Sequence, residues 1–302
     1  MKLGIALSGG GIRGIAHAGV LQALEENNIK PDIVGGTSCG SMVAVMYAMG
    51  YSPYHIYILF KRYASEIAKI DILLTLSGIH NCIFRKKISV KGCNSGKKIE
   101  ELYNKIASRR EIYNISQIKM PLVIPTVDMN SGKKIIFTNY VPEFSKNNYT
   151  NVRDENTIKF ISSNNKKYIN NITIGKAVRA SSSFPGIYSP LIYKDYTFMD
   201  GGVLDNIPTE EVKLQGADKI LAVKFRADEI EKESNIMDVI MKSIDIMGNK
   251  ISENSLEISD FVLEVYTDKV GLLDVAKLDK CYEYGYNSVI KNLEKIKKSI
   301  NI

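Results

Sequence analysis

Two short apolar strands within the first 50 residues each run into a glycine-rich turn and then a helix, and this rhythm limits the possible folds more than any other feature. Residues 3–7 are short and apolar, residues 8–14 are rich in glycine, and residues 15–26 carry helical spacing at Ile15, Ala18, Val20, Leu21 and Leu24. The unit then repeats as a turn over 27–31, a strand over 32–36 and a helix over 41–49 that is apolar on every side. A helix without a polar face has to be buried all round. Strands alternating with helices at this pace predict an α/β protein whose mostly parallel sheet is covered by helices on both faces.

Farther along, Ser52 and Pro53 read as a cap and a first helical residue opening a helix to about residue 69. Helices are also expected over 98–108, 174–180, 235–250 and 282–300, and strands over 121–128, 134–138, 196–199, 219–225 and 261–266. Residues 145–171 hold eight asparagines and little periodicity, so they read as an inserted loop. With 302 residues, 45% of them hydrophobic, and no internal repeat, the chain can build one full core, which excludes disorder and disulfide-stapled miniproteins. A single domain over 1–302 is expected, with residues 226–302 as a helix-strand-helix extension.

The second turn is where chemistry enters. Gly36-Thr37-Ser38-Cys39-Gly40 is a G-x-S-x-G between a strand and an apolar helix, the setting of a strained nucleophile elbow that lifts a serine hydroxyl above the sheet edge. The bare pentapeptide also fits a glycine turn with a serine cap. A serine nucleophile needs a base, and the three histidines, His17, His55 and His80, all lie early, so a base histidine near the C-terminus does not exist. His17 sits inside the first helix and reads as a packed residue. Asp200 is the candidate instead: an apolar strand delivers it to a sheet edge, and Gly201 and Gly202 let the chain turn away. The run Gly9-Gly10-Gly11-Ile12-Arg13-Gly14 offers backbone amides that can converge on an anion, as an oxyanion hole does, with Arg13 adding charge or bracing the loop. The same run fits a dinucleotide fingerprint, but Asp32 stands at the start of its strand, whereas the ribose-binding acid belongs at the strand's far end.

Taken in order, these blocks resemble the patatin-like phospholipases: the G-G-G-x-R-G loop at Gly9 to Gly14, the G-x-S-x-G at Gly36 to Gly40, Ala180-Ser181-Ser182-Ser183-Phe184-Pro185, and Asp200-Gly201-Gly202 followed by Asn206-Ile207-Pro208. The likeness covers roughly residues 3–225. It implies a three-layer α/β/α fold, a Ser38–Asp200 dyad acting on fatty acyl esters, the glycine loop as oxyanion hole, and no metal or cofactor. The asparagine-rich insert and the basic middle of the chain depart from the pattern.

Of the net charge of +7, the segment 82–110 alone supplies nine basic residues against two acidic ones. With the apolar residues 70–76 just upstream it reads as a peripheral membrane contact over 70–110, or equally as a solvated lysine-rich face. No apolar run reaches the length of a membrane span, the start lacks a signal-peptide core, and Cys39, Cys82, Cys93 and Cys281 form no metal-binding spacing. These features point to a cytoplasmic protein, soluble or peripheral. Two rival classes stay open at this level: a basic module binding lipid headgroups or nucleic acid without catalysis, and a dinucleotide-dependent oxidoreductase. No nucleic-acid motif is present, and the resemblance implies an acyl-ester lipid, such as a phospholipid, as the partner.

Overall fold

The computed structural model describes residues 1–68, 92–140, 161–163, 166–226, 236–268, 270 and 274–301. Of the membrane contact expected over 70–110, residues 70–91, with His80 and Cys82 among them, lie outside these residues.

The expected rhythm holds. Strand β1 (Leu3–Leu7) leads through a 3-10 turn (Gly11–Ile15) into α1 (Ala16–Glu26), and β2 (Ile33–Gly36) leads into α2 (Cys39–Ala48). Every residue of α2 is buried, as its uniform apolarity requires. Helices α3 (Pro53–Ala68) and α4 (Lys97–Ser108) precede the hairpin of β3 (Leu122–Asp128) and β4 (Lys133–Thr138).

Two short strands, β5 (Ile161–Ser163) and β6 (Lys166–Ile169), correct the reading of residues 145–171 as loop. Strand β6 runs parallel to β4 and thereby buries Tyr168 and Ile169 completely. Four residues are too few to show a period, so only the neighbouring strand reveals them. After α5 (Ile174–Ser181), a hairpin of β7 (Leu191–Tyr193) and β8 (Tyr196–Asp200) follows, of which only β8 was expected. Then come α6 (Thr209–Leu214), also not foreseen, β9 (Lys219–Phe225), α7 (Ile236–Glu257), β10 (Phe261–Val265) and α8 (Leu278–Ile300).

The sheet order is β10-β9-β1-β2-β3-β4-β6-β5, with β8 also paired to β3. The five strands from β10 to β3 are parallel, and β4 and β8 run antiparallel to β3. Since β10 pairs with β9, and α8 packs on α1, the last 70 or so residues share the sheet of the first. Gly19 and Gly285 allow that helix pair to touch, because a side chain on either would strike the partner's backbone at Tyr282 or Ala16. No helix among the described residues is long and apolar enough to cross a membrane.

The register explains where the functional edge lies. Leu7 pairs with Gly36, so β1 and β2 end level and their two glycine-bearing turns leave the sheet side by side. Strand β8 overlaps only the far end of β3, with Thr126 opposite Asp200, and so reaches the same edge from the other direction. Ligands of parallel α/β sheets bind at this carboxyl edge.

Candidate active site

Ser38 stands between β2 and α2 with φ 55° and ψ −123°, a backbone well that residues with side chains rarely occupy. The turn exists because its flanks carry no side chain: a Cβ on Gly36 would run into the Gly40 carbonyl, and one on Gly40 into the Leu7 carbonyl. The strained backbone is tied down on both sides. The Ser38 amide donates to Ser181 Oγ at 3.0 Å, and Ser181 Oγ donates in turn to the Pro125 carbonyl on β3 at 2.6 Å. The Ser38 carbonyl accepts from Ser41 Oγ at 2.6 Å.

Asp200 ends β8 only 2% exposed, with its amide donating to the Ser183 carbonyl at 3.1 Å and its Oδ1 accepting from the Gly202 amide at 2.8 Å. Water therefore competes little for its carboxylate. Gly201 presses on the Pro125 backbone, which keeps the strand end tight against β3.

Ser38 and Asp200 line one cleft together with Gly9, Gly10, Gly11 and Gly202. It holds about 890 Å³ of empty space, part of it open to solvent, and its remaining walls are largely apolar: Met42, Phe60, Ala64, Ile67, Phe184 and Ile187. Of the other expected site residues, Gly36 and Gly40 shape the elbow, while Gly14 packs on Cys39 and Arg13 lies beneath the loop. Arg13 is buried, donates from Nε to the Gly10 carbonyl at 3.1 Å and stacks its guanidinium over Phe225. Within the loop the amides differ. The Gly9 amide is already committed to Asn206, whose side-chain Oδ1 lies at 3.0 Å and whose carbonyl lies at 3.3 Å. Gly10 and Gly11 line the cleft beside it.

Two further residues earn roles that spacing did not assign: Asn206 anchors the glycine loop and Ser181 anchors the elbow. Burial, reinforced by the charge of Asp200, pushes the Cys39 thiol up to about 12, against weaker opposing effects of Arg13 and the Gly10 and Gly40 amides. His17 is a core residue: burial lowers its pKa to about 4, so the ring is neutral and Nε2–H donates to the Ser8 carbonyl at 2.8 Å. His55 sits at the exposed start of α3 beside Ser52 Oγ.

A family model, patatin-like phospholipase, matches residues 5–213. The chain is similar to lysophospholipase NTE1 of Meyerozyma guilliermondii, 28% identical over 319 residues that cover 94% of this chain and 19% of that protein. Lysophospholipase NTE1 of Lodderomyces elongisporus is 30% identical over 221 residues, covering 73% of this chain and 12% of its own length. The chain thus spans less than a fifth of the length of these relatives. Among solved structures, VipD from Legionella pneumophila superposes with a TM-score of 0.48 at 13% identity, over 97% of this chain and 67% of that one.

Proposed function

The chain belongs to the patatin-like phospholipase family, and from that premise we propose that it hydrolyses fatty acyl esters of lipids with Ser38 as nucleophile and Asp200 as its base. Ser38 Oγ attacks the ester carbonyl while its proton passes to the Asp200 carboxylate. The amides of Gly10 and Gly11 face the oxyanion that develops; Gly9 holds the loop through Asn206 and does not donate to it. Collapse breaks the ester bond, the leaving alcohol takes the proton from Asp200, and an acyl-serine stays behind. Water, deprotonated by the same carboxylate, then releases the fatty acid and returns the proton to Ser38.

The observation that carries this reading is the presence of Ser38, in its strained elbow, and the buried Asp200 in one apolar cleft with the glycine loop. The cleft's aliphatic and aromatic walls suit an acyl chain, and the relatives' name makes a single-chain phospholipid the first substrate to try. Residues 70–110 are the proposed membrane contact, on the strength of their sequence, and salt-sensitive binding to anionic vesicles is its signature. The direct experiment is labelling by a lipid-like fluorophosphonate. Labelling of the native chain that vanishes in a folded Ser38→Ala variant is the expected result, and undiminished labelling of that variant would refute the assignment.

A further inference from the structure

On the face built by α1, α3 and α8 there is a second concavity that shares no lining residue with the catalytic cleft. Its walls are Tyr54 from the start of α3, Tyr282 and Tyr286 from α8, and the acids Glu26 and Glu283, and it holds about 680 Å³ of empty space open to solvent. Tyr282 and Tyr286 are four residues apart on one helix and therefore stand on the same face, one turn above the other.

The aromatic wall is built, not incidental. Tyr282 packs on Tyr57 with ring centroids 4.4 Å apart, Tyr57 is followed by Tyr54 at 6.0 Å, and the Tyr57 hydroxyl donates to Asp279 Oδ1 at 2.8 Å. Tyr286 is oriented by donating to Glu26 Oε2 at 2.7 Å, and Gln22 Nε2 holds the other Glu26 oxygen at 2.6 Å. These two bonds, the tyrosine's first, keep the Glu26 carboxyl below its ordinary range and thus ionised at neutral pH. Tyr54, by contrast, leaves more than half of its surface, 56%, exposed.

None of the groove's lining residues is cationic, although the chain carries a net +7. Lys61, on the same helix as Tyr54, lies over the Tyr57 ring at 5.8 Å and is paired with Asp279 at 2.7 Å. Three tyrosines with two carboxylates, and no ammonium among the lining residues themselves, make a site that attracts a cation and repels an anion. A strongly hydrated primary ammonium gives up water at a cost, whereas a quaternary ammonium is large, weakly hydrated and matches aromatic faces. We propose that this groove binds a quaternary ammonium group, of the trimethylammonium type found free as choline or carried on a lipid headgroup.

The proposal stands apart from the acyl-hydrolase reading, since Ser38→Ala is expected to leave it untouched. The test is calorimetric titration of the full chain with choline and, in parallel, with 3,3-dimethyl-1-butanol, its neutral isostere. Saturable choline binding without binding of the isostere is expected, weakened about two- to fivefold in Tyr54→Ala, whose exposed ring can be lost without harm to the fold. Glu283→Gln is expected to weaken it as well and to flatten its dependence on salt. Vesicle flotation separates the sources: retention on phosphatidylcholine but not phosphatidylglycerol vesicles, lost in Tyr54→Ala, assigns a headgroup, and choline saturation without that retention assigns a soluble ligand. Equal behaviour of choline and its isostere, no saturation by choline, or full binding by Tyr54→Ala overturns the proposal.

Discussion

Asp200 and Asp205 are five residues apart, both nearly inaccessible to water, and set to different work. Asp200 closes β8 in the cleft, where one oxygen accepts a backbone amide. Asp205 is bound to Lys134 at 2.8 Å within a charged cluster that also holds the buried Glu211, the half-buried Lys166 and, at its exposed rim, Glu210. Burial raises the Asp205 pKa, and the Lys134 ammonium pulls in the other direction. Tyr168, on the unforeseen strand β6, completes the cluster by donating to Glu211 Oε2 at 2.9 Å. One carboxylate thus lines the cleft and the other is consumed in holding the chain. The second nevertheless supports the cleft, because its loop carries Asn206 to Gly9 and its own carbonyl accepts from Thr37 Oγ1 at 2.8 Å, one residue before Ser38. The stretch Asp-Gly-Gly-Val-Leu-Asp contains both aspartates, and the fold gives them different partners.

The comparison breaks most readily at the dyad. Ser38→Ala and Asp200→Asn are each expected to cut kcat for a fatty acyl ester by about 1000-fold or more while thermal unfolding stays within a few degrees of native. Asp205→Ala should do the reverse. Removing one partner of a buried pair costs about 3 kcal/mol or more, read as a lowered denaturant midpoint, whereas kcat of the folded fraction falls less than tenfold. An Asp205→Ala enzyme as inactive as Asp200→Asn would erase the distinction drawn above.

A third buried titratable group sharpens it. His17 is held neutral with its pKa lowered to about 4, while the unfolded chain takes up that proton near its ordinary value of about 6.5. Between those values the unfolded state binds more protons, so stability declines as pH falls from about 6.5 to 4, by roughly 3 kcal/mol in all. Urea unfolding across that window should show the loss, and His17→Gln should remove most of its slope. The smallest effect is expected at Ser181→Ala, which leaves the Ser38 amide without its acceptor: about 1–2 kcal/mol of stability and a fall in kcat of roughly tenfold, with KM little changed. A Ser181→Ala enzyme with native kcat would mean that the elbow holds its geometry without this tie.

The success of the sequence reading and its gaps have one physical origin. Strand-turn-helix units, the apolar α2 and the G-x-S-x-G are local patterns, visible because period, glycine placement and hydrophobic runs are properties of neighbouring residues. The lack of any histidine after His80 is likewise a property of the sequence alone. Strand β6, strand β7 and helix α6 escaped because three to six residues carry too little pattern and owe their structure to partners far along the chain. The same holds for Asn206 and Ser181, whose partners Gly9 and Ser38 lie 197 and 143 residues away.

By itself, then, the order of residues determined an α/β chain with a serine elbow, a glycine loop and a carboxylate at a strand end. Only the tertiary structure decided that three chain segments meet at one sheet edge, that the Gly9 amide is tied to Asn206, that Asp205 is tied to Lys134, and that three tyrosines with two glutamates line a second groove. The reason is range: propensity and periodicity act over a few residues, whereas cross-strand register, buried ion pairs and concave surfaces exist only once distant segments have been packed together.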